Sequence, residues 1–257
     1  MAISANTIVH YTEEFKSILE ILESSSFKLS YCSERIKTRG SQSFSFAVAM
    51  VSFCDIPFTD YKKHFASTKG KKLGYYGDYG IGLTKKWAKK NGLNPVFYID
   101  TNSYAGTALR KSVESYYTNG SINQLEAFFN EETTKFACFT KNYEGELYRK
   151  GLLKDSKYKF YDEREWRYVP QGKDLAKHGD YCMLDNKEYL SDKQNFTGKI
   201  NRYELKFSID DISYIIVKDE NEIPILINTL SKYFTENDKL KILFTKIITS
   251  EQIINDF

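Results

Sequence analysis

Residues Ala47 to Cys54 (AVAMVSFC) are β-prone and apolar, without the polar alternation of a half-exposed strand. Such a stretch predicts a central strand covered on both faces, closed by Asp55 and Pro57. A chain of 257 residues can supply the cover, since this length buries roughly 70–75% of its unfolded surface. Twenty Tyr and 18 Phe provide large packing surfaces. The longest unbroken apolar run, Phe46 to Val51, is far too short to span a membrane. The N-terminus lacks the basic stretch and apolar core of a signal peptide, so the cytoplasm is the expected compartment.

Around that strand the periodicities alternate irregularly. Thr7 to Thr12 (TIVHYT) reads as a strand, and Glu13 to Glu23 as a helix behind a Thr12 N-cap, with Phe15, Ile18, Leu19 and Leu22 at helical spacing. Phe27, Leu29 and Tyr31 alternate as an extended segment. Tyr79 to Leu83 predicts a strand, Thr84 caps a short helix that Gly92 stops, and Pro95 to Ile99 returns as a strand. Residues 103–141 read as mainly helical, broken near Gly120. Further strands are expected at Glu165 to Val169, Arg202 to Phe207, Ile212 to Val217 and Lys241 to Thr245, with helices over Glu220 to Phe234 and Ser250 to Phe257. This order favours an α+β fold over a doubly wound sheet. No repeat or linker tract divides the chain, so 1–257 reads as a single domain carrying a basic loop and helix insertion (62–90) and a helical insertion (103–141).

Several machineries are excluded by motif. The chain has no GxxxxGK[ST], GxGxxG, HExxH or GxSxG. Cys32, Cys54, Cys138 and Cys182 lie far apart with no CxxC, which favours free thiols over a zinc site, and no metal is expected. Net charge is only +3, yet Lys62 to Lys90 holds nine lysines against one acid, Asp78. That run suits a phosphate backbone, with Tyr75, Tyr76 and Tyr79 available to stack on unpaired bases, or equally a solvated face. Gly80 and Gly82 sit inside a strand pattern, where they permit close approach of another strand or a ligand.

Two segments carry candidate chemistry. His10 and Thr12 share one side of a strand and could hold a ribose or an amide; the alternative is a core histidine satisfied by backbone. In Tyr161 to Arg167 (YDEREWR), the spacing places Glu163, Glu165 and Arg167 on one strand face, two carboxylates leaning on an arginine. A partly desolvated carboxylate can stabilise a developing cation or accept from a ribose hydroxyl. The alternative there is a solvated charge run, and paired acids are also compatible with glycoside or phosphodiester hydrolysis.

Taken in order, several stretches resemble the abortive-infection AbiGi family of phage-defence proteins, labelled an antitoxin. They are His10 to Thr12; Tyr31, Cys32 and Glu34; Met50 to Pro57; Tyr79 to Leu83 with Trp87; Asn94 and Pro95; and Glu163 to Arg167. More remotely, the His-x-Thr strand and the late glutamate are similar to DarT-type ADP-ribosyltransferases. That resemblance implies an ADP-ribosyltransferase-like mixed β core with peripheral helices, and NAD as substrate. It implies His10, Tyr11 and Thr12 with Tyr31 and Arg35 in the NAD pocket, Tyr79 stacking on nicotinamide, and Glu165, or Glu163, as catalytic acid. Arg35 and Arg39 both qualify as the pocket arginine. The family label implies the alternative of a non-catalytic partner that restrains a nucleotidyltransferase-like toxin. The enzymatic reading requires His10 and Glu165 to meet across one cavity.

Overall fold

A computed structural model describes residues 4–37, 43–64, 76–115, 117–118, 121–122, 131–149 and 151–257. The first half of the chain holds β1 (Thr7–Thr12), α1 (Phe15–Ser24), β2 (Ser26–Lys28), β3 (Ser30–Lys37), β4 (Ser43–Cys54), α2 (Phe58–His64), β5 (Tyr79–Thr84) and α3 (Lys85–Lys90). There follow β6 (Asn94–Pro95), β7 (Phe97–Ile99), α4 (Tyr104–Glu114), the hairpin of β8 (Tyr117–Thr118) and β9 (Ser121–Ile122), and α5 (Glu131–Cys138). The second half adds β10 (Thr140–Asn142), β11 (Gly145–Arg149), β12 (Leu152–Tyr158), β13 (Glu165–Tyr168), β14 (Met183–Asp185), β15 (Glu204–Lys206), β16 (Ile212–Val217) and β17 (Ile247–Thr249), with helices among and after them. The fold is α+β.

The main sheet runs β17-β16-β5-β1-β4-β13-β6, with β3 and β14 also paired to β4. All of its described pairings are antiparallel except β16 with β17. As its composition requires, β4 lies in the middle and is buried on both sides. Ala47, Ala49, Val51 and Phe53 join the larger core under α1 and Ile223–Tyr233, while Phe46, Val48 and Met50 pack on the other side against Val113 and Ala137 of the 103–141 region. Each fully buried large aliphatic or aromatic side chain contributes roughly 1.5–3 kcal/mol, so both faces of β4 are needed to hold it.

Local signals explain most boundaries. The Thr84 side chain accepts a hydrogen bond from the Trp87 N–H at 3.2 Å and starts α3; Gly92, at φ +74°, stops the chain beyond it. A Cβ at Gly80 would lie 2.9 Å from Val9 Cγ1, and one at Gly82 2.9 Å from Thr7 Cγ2. The close approach these glycines allow is therefore to β1.

Five expectations change. Lys241 to Thr245 belongs to the helix Asn237–Phe244, where Leu240 and Leu243 are buried and Ile242 is exposed, a helical spacing; the last strand is β17. Pro95 to Ile99 is split, because β6 pairs with β13 whereas β7 pairs in parallel with β10. Arg202 to Phe207 contracts to β15, which pairs with β2 outside the main sheet. The 103–141 region carries a β-hairpin between its two described helices and ends in a strand; Gly120 lies outside the described residues. Thr12 does not cap α1, whose N-cap is Glu14. Much of the basic 62–90 run, Tyr75 included, also lies outside the described residues.

Candidate functional site

Pairing register decides which side chains meet. Val9 of β1 opposes Cys54 of β4, and Cys54 opposes Glu165 of β13. Residues directly opposed across a sheet project from the same face, and neighbours along a strand project from opposite faces. Glu165 therefore shares a face with Val9 and Tyr11, while His10 and Thr12 point to the other. The cavity expected to join His10 and Glu165 is not formed.

On the Glu165 face, Arg167 is fully buried and sits two residues along β13, its guanidinium spread over four acceptor atoms of three residues. Its Nε donates to Glu165 Oε1 at 2.6 Å, Nη1 to the Cys138 carbonyl at 2.7 Å, and Nη2 to Glu34 Oε1 and to Glu165 Oε2, the last at 3.2 Å. The ammonium of Lys141, delivered by β10, bridges Glu165 Oε2 at 2.7 Å and Glu163 Oε2 at 2.8 Å. The Tyr76 hydroxyl donates to Glu163 Oε1. The Tyr98 hydroxyl accepts from the Glu165 N–H at 2.7 Å and so fixes the strand end.

Glu163 reaches this cluster by a different route from the one its spacing suggests. It lies in the 3-10 turn Phe160–Glu163, and Arg164, at φ +44°, reverses the chain before β13 begins. A shared strand face holds for Glu165 and Arg167 only.

The charges set the chemistry. Burial alone would raise the Glu165 carboxyl, but Arg167 and Lys141 outweigh burial and hold it down at about 2. Glu34 has the opposite outcome: burial dominates, and its pKa is raised despite Arg167 and Lys141. Burial disfavours charge on Lys141, yet Glu163 and Glu165 overcome it and keep the ammonium charged. These groups line a cavity of about 290 Å³ together with Tyr11, Asn142, Tyr148 and Phe160. Arg35 stands at its rim, half exposed, 3.6 Å from Glu146. Arg39 lies outside the described residues.

On the other face His10 is set in aromatic rings, with centroids 5.1 Å from Phe27 and 5.6 Å from Phe53. Its Nδ1 lies 2.8 Å from the Ser52 carbonyl. A carbonyl only accepts, so Nδ1 carries the proton. Burial lowers the His10 pKa against the raising effect of that bond, so the imidazole is held neutral. The imidazole is thus satisfied by backbone, as in the alternative reading, while the residue stays partly exposed and lines a second cavity with Ser17, Glu20 and Phe27. Tyr31 is buried beside Tyr189, its hydroxyl donating to the Tyr181 carbonyl at 2.6 Å. Tyr79 stacks on Phe15 at 5.7 Å and donates to Glu222 Oε1 at 2.9 Å.

Of the candidate residues, then, Glu163, Glu165, Tyr11 and Arg35 come together, while His10, Thr12, Tyr31 and Tyr79 do not join them. Arg167 was legible from its spacing to Glu165. Lys141 was not, since nothing in TKN marks it, and Glu34 was visible only as part of a family resemblance. Among the described residues no group of three or more His, Cys, Asp and Glu side chains is arranged to hold a metal ion. Among the same residues no helix is long and apolar enough to cross a membrane.

No solved structure matches this chain. A curated protein of Lactococcus lactis subsp. cremoris, "Abortive phage resistance protein AbiGi", is 31% identical over 181 residues, which is 66% of this chain and 71% of that protein. The family described as "Putative abortive phage resistance protein AbiGi, antitoxin" matches residues 25–218, a span that takes in Glu34, Lys141, Glu163, Glu165 and Arg167 and leaves out His10. The chain belongs to the AbiGi abortive phage resistance family.

Proposed function

We propose that this chain acts in abortive phage resistance, in the cytoplasm, as the restraining partner of a nucleotidyltransferase-like toxin, and that the Glu165 cavity belongs to the surface that engages it. One observation carries this reading. Glu165 accepts three N–H bonds from Arg167 and Lys141, while the histidine required beside it for NAD faces the opposite side of the sheet. A carboxylate so engaged organises a binding surface more readily than it attacks or polarises a substrate. The family description, with its word antitoxin, agrees.

The test is coexpression with the product of the adjacent gene. Growth rescued by the wild-type chain, with no change in NAD level, supports restraint; failure of the wild type to rescue overturns it.

A second reading, an ADP-ribosyltransferase-like enzyme that cleaves NAD, keeps one observation in its favour. Glu165 is held ionised on the wall of a cavity, the state needed to stabilise an oxocarbenium-like transition state. Loss of a group of this kind costs roughly 3–4 kcal/mol, about a hundredfold or more in rate. NAD turnover by the wild type that disappears in Glu165→Gln supports this reading, and its absence from both removes it. A nucleic-acid contact through the 62–90 run belongs to the same proposal; its described part offers Lys86, Lys89 and Lys90 exposed on α3. Single-stranded DNA or RNA that fails to bind at low salt disposes of it.

A further inference from the structure

Counted over the described residues, the Glu165 cavity is one positive charge short. Its buried wall carries the carboxylates of Glu34, Glu163 and Glu165 against the cations of Lys141 and Arg167, and the Arg35–Glu146 pair at the rim adds one charge of each sign. An uncompensated charge is among the most costly things to bury. The shortage is felt at Glu34, whose Oε1 takes the Arg167 bond and whose carboxyl burial pushes up.

A second, independent observation lies at the same cavity. Asn142 is 8% exposed, and its Nδ2 donates to the Arg35 carbonyl at 2.9 Å, which fixes the orientation of the amide. Its Oδ1 is then a buried acceptor with no hydrogen-bond partner among the described residues, in a residue that lines the cavity. A buried polar atom left unpaired is costly, so a donor that reaches it is well rewarded.

The remaining wall suits the same visitor. Tyr11, Tyr148 and Phe160 present aromatic rings, and Lys141 Nζ already stands 5.1 Å from the Phe160 centroid. At about 290 Å³ the space is at the lower end of the roughly 300–1,000 Å³ of pockets for drug-sized ligands, and fits a side-chain-sized group. A planar cation with several N–H donors answers the carboxylate, the orphan amide oxygen and the rings together, whereas an ammonium presents a compact point charge.

We infer that this cavity receives a guanidinium group, supplied by an arginine side chain of the restrained toxin. The inference rests on the restraint reading for its source, and on the charge shortage and the Asn142 acceptor for its chemistry.

Isothermal titration of the full chain tests it with acetyl-arginine-amide, acetyl-citrulline-amide, acetyl-lysine-amide and agmatine. The arginine compound binds saturably; the citrulline compound, its neutral counterpart, binds about tenfold more weakly or less, and lysine falls below arginine. Glu34→Gln and Asn142→Leu each reduce arginine affinity about tenfold or more. Equal binding of arginine and citrulline, or no saturation with any compound, overturns the guanidinium site on the wild type alone, whether or not the variants fold. Agmatine binding at least about tenfold tighter than acetyl-arginine-amide overturns the protein source in favour of a free amine, a difference of about 1.4 kcal/mol. The two readings fail separately. Toxin restraint retained in a folded Glu34→Gln chain that no longer binds arginine overturns the docking and spares restraint; arginine binding by a wild type that restrains nothing overturns the arginine's source in the toxin and leaves the guanidinium site.

Discussion

The two faces of one sheet solve burial in opposite ways. Beneath α1, Phe27, Phe53 and Trp87 pack ring against ring, and the one titratable group among them, His10, is held neutral. Across the backbone, at a distance of one strand thickness, Arg167, Lys141, Glu34, Glu163 and Glu165 are held by each other in ion pairs. The apolar face is stable by default and specifies little beyond volume. The charged face loses a great deal if a cation that pairs its carboxylates is removed, and that sensitivity marks it as the place where recognition is built.

The largest expected effect tests that sensitivity directly. Arg167→Met leaves Glu34 and Glu165 buried without their shared guanidinium and destabilises the chain by roughly 3–5 kcal/mol in urea unfolding. A loss below about 1 kcal/mol would mean that water reaches the cluster and that the contrast between the faces is false.

A smaller effect appears in acid. The Glu165 pKa is depressed in the folded chain from an ordinary 4.5 to about 2. Its contribution is therefore complete above pH 4.5 and lost as pH falls toward 2, on the order of 3 kcal/mol. Glu34 has the opposite sign: with its folded pKa raised, its contribution is complete below pH 4.5 and declines as pH rises through the folded value. Stability curves of Glu165→Gln and Glu34→Gln separate the two. The first flattens the acid loss between pH 4.5 and 2, and the second removes the decline above 4.5.

The smallest effect belongs to the apolar face. His10→Phe keeps the ring packing and loses the bond to the Ser52 carbonyl, costing about 1 kcal/mol at neutral pH. The folded His10 pKa is lowered from 6.5, so its contribution is full above pH 6.5 and lost as pH falls below it. The variant therefore approaches wild-type stability as pH falls below 6.5. A cost that instead grew toward acid would place a charged partner beside His10 and dissolve the contrast.

Much of this was legible from short-range pattern. AVAMVSFC announced a strand covered on both sides, Thr84 and Gly92 bracketed α3, and EREWR placed a carboxylate and an arginine two residues apart on one strand. Patterns that needed a distant partner were not legible. Lys141 closes the cluster because β10 pairs with β7 and packs beside β3, bringing its ammonium onto Glu163 and Glu165. The tail KILFT read as a strand because β-branched and aromatic residues follow one another, whereas burial of Leu240 and Leu243 imposes the helical period.

The sequence by itself determined the composition of each element, the AbiGi family, and the fact that His10 and Thr12 would leave β1 on one side. It did not determine which side Glu165 would take. Side chains alternate with a period of two, so a slip of one residue in the pairing of β1, β4 and β13 would have set Glu165 beside His10. The observed register, Val9 with Cys54 with Glu165, sends them apart, and only the assembled sheet could make that choice.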